Sequence, residues 1–247
     1  MTTITAAPAV SVGMRLDLES VRISYGRKTV VHDLDLTVAA GEILVLVGKS
    51  GCGKSTLLRA IAGLRKPAAG VIRADEDAVT GPSADRALVF QDDALLPWRT
   101  ARANIDLALR LRGVSRGDRA ARSQRWLDEV GLSGYADYLP RDLSGGMRQR
   151  VQLARSLAGS PRAVLMDEPF GALDSQTRAE MQRLLIDTWR AHPTTIVFVT
   201  HDLDEALLLG DRIAVLGAGS LRAVVEVPDP REPVDRSALR ARILESL

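Results

Sequence analysis

The chain has 247 residues, of which 46% are hydrophobic and 26% are charged, proportions typical of a globular protein with a sizeable core. Its net charge of +2 gives no electrostatic reason to expect a nucleic-acid partner. The single cysteine, Cys52, excludes an intramolecular disulfide framework and a multi-cysteine metal site. No apolar run approaches the roughly 20 residues that a membrane-spanning helix needs. These features favour a cytoplasmic protein, or one attached to a membrane only through a partner.

The N-terminal segment, residues 1–14, carries no charged side chain. It lacks the basic stretch that opens a signal peptide, so we expect a short flexible tail. In residues 15–38 the apolar positions tend to alternate with polar ones, which predicts antiparallel strands or a hairpin. Tyr25 lies in the turn between them, where a tyrosine considered alone caps the edge of a core.

A glycine-rich stretch follows a short apolar run over residues 43–47 and precedes an apolar-periodic run over residues 57–64. This order predicts a buried strand, a loop and a helix. The stretch fits the pattern G-x-x-x-x-G-K-[ST], in which backbone N–H groups and a helix N-terminus surround a polyphosphate. Lys54 is expected to reach the β- and γ-phosphates, and the Ser55 hydroxyl to bind Mg²⁺. The alternative is a glycine-rich turn that carries a lysine, but the flanking strand and helix favour nucleotide binding by Gly48, Lys49, Ser50, Gly51, Cys52, Gly53, Lys54, Ser55 and Thr56.

Strands and helices alternate along the rest of the chain, which predicts an α/β fold with a mostly parallel sheet. Residues 100–137 lack a convincing strand and show helical periodicity. They predict a helical insert in which residues 113–117 join two helices. We therefore divide the chain into a flexible tail (1–14), a main domain (15–227) with a helical subdomain inserted at about residues 92–160, and a Pro-rich linker with a terminal helix (228–247).

Polar residues end three of the predicted strands. Asp167 can hold Mg²⁺ and Glu168 can polarise the attacking water as a general base, although an isolated Asp-Glu pair is usually a solvated turn. Gln91 can contact Mg²⁺ or the attacking water, but glutamines are common at strand ends. His201 can donate a hydrogen bond to a γ-phosphate or act as an ordinary capping residue. The individual patterns for Gln91 and His201 leave both interpretations open.

A further stretch resembles the signature of the ATP-binding cassette (ABC) family, and it consists of Leu143-Ser144-Gly145-Gly146-Met147-Arg148-Gln149-Arg150. The phosphate-binding loop, the Asp167-Glu168 pair, the stretch over residues 171–174 and His201 occur in that family's order. The resemblance covers about residues 16–216. It implies an α/β P-loop NTPase of the ABC ATPase type, with a mostly parallel core sheet, an antiparallel β subdomain and a helical insert.

The resemblance also implies ATP and Mg²⁺ as ligands. Two such subunits would pair head to tail, with each ATP between one phosphate-binding loop and the other subunit's signature residues Ser144, Gly145 and Gly146. The implied metal ligands are Ser55, Gln91 and Asp167. ATP binding would close the dimer and hydrolysis would reopen it.

Four further roles come from the same resemblance. Tyr25 would stack on adenine, and Gln91 would belong to the loop that senses a membrane partner. Asp174 would link the two sites across the dimer. His201 would contact the γ-phosphate, beside Glu168 as the catalytic base.

Three stretches resemble the sequences of ATPase subunits that import nitrate, sulfonates and taurine. They are residues 90–100, residues 200–206 and the Pro-rich tail. Leu95 to Arg99 would then line the groove that receives a permease helix; the alternative is a loop packed on the helical insert. The resemblance implies an ATP-hydrolysing importer subunit on the cytoplasmic face of the membrane. Its partners would be a second ATPase subunit, integral-membrane permease subunits and a periplasmic or lipid-anchored binding protein. The alternatives are a soluble ABC ATPase that remodels a protein or nucleic-acid assembly, and an exporter ATPase.

Overall fold

The computed structural model describes residues 13–232 and 235–247. Within these ranges ten strands, numbered in chain order, form two sheets. The hairpin predicted for residues 15–38 is confirmed, since β1 (Leu16–Tyr25) pairs antiparallel with β2 (Lys28–Val38). The strands β4 (Ala69–Ala74) and β5 (Asp77–Ala78) complete a four-stranded sheet in the order β2-β1-β4-β5.

The second sheet has six strands in the order β10-β9-β3-β8-β7-β6. Every neighbouring pair is parallel except β9 and β10, which pair antiparallel. Parallel strands covered on both faces are continuously apolar, and β3, β7 and β8 are buried along their whole length. The strand bounds are β3 Ile43–Gly48, β6 Arg86–Val89, β7 Ala163–Asp167, β8 Thr195–Val199, β9 Arg212–Gly217 and β10 Ser220–Glu226.

Four helices connect or follow these strands, and their bounds are α1 Lys54–Ile61, α5 Ser175–Ala191, α6 Leu203–Leu209 and α7 Ser237–Ser246. Because β3, β8 and β7 are neighbouring parallel strands, their carboxyl ends meet at one edge of the sheet. That edge carries the phosphate-binding loop after β3, the Asp-Glu pair at the end of β7 and His201 after β8.

The region between β6 and β7 is helical and has its own core. Its helices are α2 (Ala101–Leu111), α3 (Arg116–Glu129) and α4 (Gly145–Ala158). Ile105, Leu127 and Val151 are fully buried in one cluster where these helices meet. Because α3 already begins at Arg116, the link between α2 and α3 is shorter than the predicted 113–117.

The last two residues of the predicted tail belong to the domain. Met14 is buried, its amide donates to Thr195 Oγ1 at 2.8 Å, and its carbonyl accepts from the same hydroxyl at 2.7 Å. Arg162 donates to the Gly13 carbonyl oxygen at 2.7 Å. The prediction of a flexible tail is therefore wrong for residues 13 and 14, and its remainder, residues 1–12, lies outside the described residues.

The C-terminal helix α7 buries Ile243 alone among its described residues, while Leu244 is 49% exposed. The segment before it is fastened by Arg231, which donates to the Leu209 carbonyl at 3.0 Å and lies 4.7 Å from the centre of the Trp189 ring. In the Pro-rich linker, residues 233 and 234 lie outside the described residues.

Candidate active site

The phosphate-binding loop joins β3 to α1 through backbone conformations that favour glycine. Gly51 and Gly53 have φ angles of 79° and 105°, in the left-handed region that side chains disfavour. A Cβ on Gly48 would lie 2.3 Å from the Leu216 carbonyl oxygen. Gly53 caps α1 without a side-chain hydrogen bond, so the first N–H groups of the helix remain available for an anion.

The Lys54 side chain folds back over this loop and is only 6% exposed. Its ammonium donates to the carbonyl oxygens of Gly48 at 2.7 Å and Lys49 at 3.3 Å, and Cys52 Sγ lies 4.0 Å away. Among the ion pairs of the described residues, none includes Lys54. A buried cation with no carboxylate partner is suited to binding an anion.

The hydroxyl of Ser55 donates to Asp167 Oδ1 at 2.7 Å and so joins the loop to β7. Asp167 is 8% exposed. A hydroxyl and a carboxylate side by side are hard oxygen ligands of the kind that Mg²⁺ takes together with phosphate oxygens and water. The described residues contain no cluster of three or more His, Cys, Asp or Glu side chains able to hold a metal by themselves. This pair therefore fits a Mg²⁺ ion bound together with a nucleotide.

Glu168 and His201 are brought together from two neighbouring strands. Glu168 Oε2 lies 2.9 Å from His201 Nδ1, and the Glu168 amide donates to the Val199 carbonyl at 3.0 Å. Glu168 has a φ of 45°, a conformation that costs energy for a residue with a side chain and that clusters at active sites. The side chain of Glu168 is 25% exposed and that of His201 is 68% exposed, so a water molecule can reach both.

Tyr25 is exposed at the end of β1, and its ring is covered on one face. The guanidinium carbon of Arg65 lies 3.7 Å from the ring centre, and Arg65 also donates to the Ser24 carbonyl at 3.2 Å. A side-chain hydrogen bond with Thr56 lowers the pKa of the Tyr25 phenol. This bond places Tyr25 at the end of the phosphate-binding loop. Arg65 was not among the predicted site residues because it lies outside every recognised motif.

The signature lies at a different place in the chain. Ser144 caps α4, accepting a hydrogen bond from the Met147 amide at 3.2 Å. Asp174 caps α5, and the backbone hydrogen bond from Thr177 is the main cause that lowers the pKa of its carboxyl. Ser144, Gly145, Gly146 and Asp174 line one cavity, and no residue of the phosphate-binding loop contributes to it among the described residues. Within this chain the signature and the phosphate-binding loop therefore form separate surfaces.

Gln91 is exposed in the loop that follows β6. Within the described ranges, no hydrogen bond joins its side chain to Ser55, Asp167 or Glu168. The backbone on both sides of Gln91 is instead bound by Gln152 of α4. Gln152 was not singled out from the sequence, because its hydrogen bonds are made to a loop about 60 residues away in the chain.

Comparison with known proteins decides the family. The family model described as "ABC transporter" matches residues 31–171. This chain belongs to the ABC transporter family. It is 45% identical over 204 residues to a taurine import ATP-binding protein of Yersinia pestis, covering 83% of this chain and 80% of that protein. It is 46% identical over 237 residues to an aliphatic sulfonates import ATP-binding protein of Burkholderia cenocepacia, covering 94% and 86%.

A solved structure is similar as well. It is described as a dimeric post-hydrolysis state of an ATP-binding cassette bound to ADP and phosphate, and it matches with a TM-score of 0.75 at 32% identity. The match covers 86% of this chain and 98% of that chain. The predicted ABC ATPase fold and the ATPase activity are thus confirmed. The relatives also confirm the importer subunit over the remodelling and exporter alternatives.

Proposed function

We propose that this chain hydrolyses ATP with Mg²⁺ to energise the uptake of a small sulfonate, with taurine and aliphatic sulfonates as the first solutes to test. The observation that carries the catalytic part is the meeting of Lys54, the Ser55–Asp167 pair and the Glu168–His201 pair at one edge of the sheet. The relatives named for taurine and aliphatic sulfonates support the solute class. Nitrate is the third solute of the predicted group, and it serves as the comparison for the two sulfonates in the binding test below.

The loop residues 48–56 would bind the phosphates of ATP through backbone N–H groups, with Lys54 on the β- and γ-phosphates. Ser55 and Asp167 would hold Mg²⁺, which neutralises charge on the phosphate oxygens. Gln91 would reach the metal or the water only after its loop moves, because no hydrogen bond joins it to these groups among the described residues. Tyr25 would present its ring to adenine while Arg65 supports the opposite face.

Hydrolysis requires a group that accepts the proton of the attacking water. The oxygen of water attacks the γ-phosphorus, its proton passes to the Glu168 carboxylate, and the bond from the γ-phosphorus to the bridging oxygen breaks to give ADP and phosphate. His201 lies against the Glu168 carboxylate at 2.9 Å and would fix its orientation while contacting the γ-phosphate side of the site.

A second copy of the chain would complete each site. The signature residues Ser144, Gly145 and Gly146 open α4, so they present N–H groups and the positive end of the helix dipole. Because they share no cavity with the loop of their own chain, we infer that they contact ATP on a partner subunit in a head-to-tail homodimer. The dimeric state of the similar solved structure supports this arrangement.

A groove between β6, α2 and α4 would receive the permease. It encloses an apolar cavity of about 290 Å³, whose lining includes Ala87, Leu88, Leu107 and Leu111. Leu111 is 72% exposed and continues the apolar lining of this cavity to the surface, and a contiguous exposed apolar patch of this kind favours a partner. A helical segment of the permease with an apolar face would fit this groove.

The predicted groove residues Leu95 to Arg99 do not line that cavity in the part of the chain that the structure describes. Leu95 is buried in the core of the helical region, and Asn104 binds the backbone on both sides of the loop, at Leu96 and Arg99. The alternative, a loop packed on the helical insert, is therefore correct for Leu95. Trp98 is 73% exposed and Pro97 is exposed beside it, so these two residues can extend the permease surface.

The described helices include none with the length and apolar character to cross a bilayer. We infer that the chain lies on the cytoplasmic face of the membrane through the permease. A periplasmic or lipid-anchored binding protein would deliver the solute to that permease from the other side.

The test isolates tagged Glu168→Gln protein with ATP from detergent-solubilised host membranes. We expect a polytopic permease in the eluate, whose binding protein can then be titrated with taurine, an alkanesulfonate and nitrate. The matched control is the double variant Glu168→Gln, Leu111→Asp. It should still bind ATP, but the permease should be missing from its eluate. Recovery of soluble proteins or nucleic acid alone would overturn the importer, and tightest binding of nitrate would overturn the sulfonate class.

A further inference from the structure

Three side chains of helix α4 donate hydrogen bonds to the loop that carries Gln91, and they are Arg148, Gln152 and Arg155. Their spacing of four and three residues places them on one face of the helix. Gln152 is only 2% exposed, and its Nε2 donates to the carbonyl oxygens of Phe90 at 3.2 Å and Asp92 at 3.0 Å. These carbonyls flank Gln91, so one side chain fixes the backbone on both sides of it.

The two arginines hold the next residues of the same loop. Arg155 donates to the carbonyl oxygens of Ala94 at 2.8 Å and Asp93 at 3.3 Å. Arg148 donates to Asp93 Oδ2 at 2.7 Å and to the Leu143 carbonyl at 2.8 Å. The carbonyls of residues 90, 92, 93 and 94 are thus all bound from α4. These hydrogen bonds fasten the loop to α4, the helix that begins with the signature residues.

Gln152 is an unexpected residue for a purely structural role. Its Oε1 is buried and has no hydrogen-bond partner among the described residues. A buried unpaired amide oxygen is unfavourable, and a leucine of similar size would avoid it. What leucine would lose is the pair of hydrogen bonds to the Gln91 loop.

We propose that Gln152 is a positioning residue that sets the Gln91 loop relative to the signature. The inference rests on the proposed role of Gln91 at the ATP site. Gln152 and Arg155 also line the cavity proposed for the permease. A segment docked there is therefore in contact with the same side chains that hold the loop, and through α4 with the signature that faces the other subunit's ATP.

The test is a double-mutant cycle between Gln152→Leu and Gln91→Ala in the full chain. We expect Gln152→Leu to lower the kcat for ATP about tenfold and to raise the Mg²⁺ concentration needed for half-maximal activity. In the Gln91→Ala background the same change should have no further effect. An equal fold loss of kcat in both backgrounds would overturn the proposal.

Hydrogen–deuterium exchange of the loop gives a readout that does not depend on catalysis. The amides of Leu95 and Leu96 donate to Asp93 Oδ1 and Asn104 Oδ1, and we expect both to exchange about tenfold faster in Gln152→Leu; unchanged exchange would overturn the proposal. The matched control is Gln182→Leu, which removes another buried glutamine whose Nε2 donates to Glu205 at 3.0 Å. It should lower the melting temperature without altering exchange in the loop.

The exchange readout also separates the two proposals. If Gln91→Ala leaves kcat and the Mg²⁺ dependence unchanged, the assigned role of Gln91 fails. Faster exchange in Gln152→Leu would still establish that the hydrogen bonds from α4 order the loop.

Discussion

Glu168 Oε2 and His201 Nδ1 lie 2.9 Å apart, although 33 residues separate them in the chain. The two residues follow β7 and β8, which are adjacent and parallel. The register of these strands therefore places the proposed general base against an imidazole that fixes its rotamer. The free oxygen of Glu168 remains available to a water molecule.

The first prediction concerns this carboxylate. Glu168→Gln should lower kcat by about 10² to 10⁴-fold, because general-base catalysis typically contributes that much. The affinity for ATP should persist, since the loop residues are unchanged, and a closed dimer should accumulate. Steady-state ATPase assays with size-exclusion chromatography measure both. Exposed Glu226→Gln is the control, and ordinary turnover by Glu168→Gln would remove Glu168 from the role of base.

The second prediction concerns the buried ammonium of Lys54. Lys54→Ala should weaken ATP binding by about 10- to 100-fold, because a hydrogen bond to a charged group contributes roughly 1.5–3 kcal/mol. Equilibrium binding of a fluorescent ATP analogue measures the loss, with exposed Lys66→Ala as the control. An unchanged dissociation constant would show that the phosphates do not contact this side chain.

The third prediction separates the metal from the nucleotide. Ser55→Ala removes the hydroxyl that donates to Asp167 at 2.7 Å, so the Mg²⁺ concentration for half-maximal ATPase activity should rise about tenfold. ATP binding in EDTA should not change, since the backbone N–H groups remain. A Mg²⁺ titration of both proteins tests this, and equal titration curves would count against Ser55 as a ligand.

The fourth prediction concerns the stacked pair at the proposed adenine site. Arg65→Ala removes the guanidinium 3.7 Å from the centre of the Tyr25 ring. Such a contact contributes about 0.5–2 kcal/mol to holding the ring in place, so ATP should bind more weakly, by at most about 30-fold. Calorimetry with ATP and with triphosphate alone should show the loss only for ATP, and Arg59→Ala is the control. Tighter ATP binding would mean that Arg65 blocks the ring face that adenine needs.

The fifth prediction is a pH dependence of stability. Burial raises the pKa of the Glu205 carboxyl, although a hydrogen bond from Gln182 opposes the shift. A carboxyl with a raised folded pKa stabilises the fold below its unfolded pKa of about 4.3, and this contribution is lost as pH rises through the folded value. Glu205→Gln should therefore match the parent near pH 4 and be relatively more stable at pH 8. Urea unfolding at both values measures the difference, and a constant difference between the two proteins would contradict it.

Local sequence patterns were sufficient for the parts of the site that lie within one turn or one strand end. The glycine spacing of residues 48–53 requires positive φ angles, and the apolar run before Asp167 requires a buried strand. The hairpin of β1 and β2 likewise follows from alternation along 23 residues, and the order of the motifs identified the family. In each case the physical cause acts between residues close in sequence, so it can be recognised without the fold.

Contacts between distant residues were decided only by the tertiary structure. Three such contacts depend on how strands and helices pack. They are the pairing of Glu168 with His201, the stacking of Arg65 on Tyr25 and the hydrogen bonds from Gln152 to the Gln91 loop. The prediction that residues 95–99 line the groove stays a prediction, and only Leu95 is excluded from it, because Leu95 is buried in the core of the helical region. Their apolar character is equally compatible with a partner surface and with packing on α2. The hydrogen bonds from Asn104 to the backbone of Leu96 and Arg99 hold the loop so that Leu95 packs inward while Trp98 stays exposed. A sequence fixes which side chains need partners, but the partner is chosen by the register and packing of the whole chain.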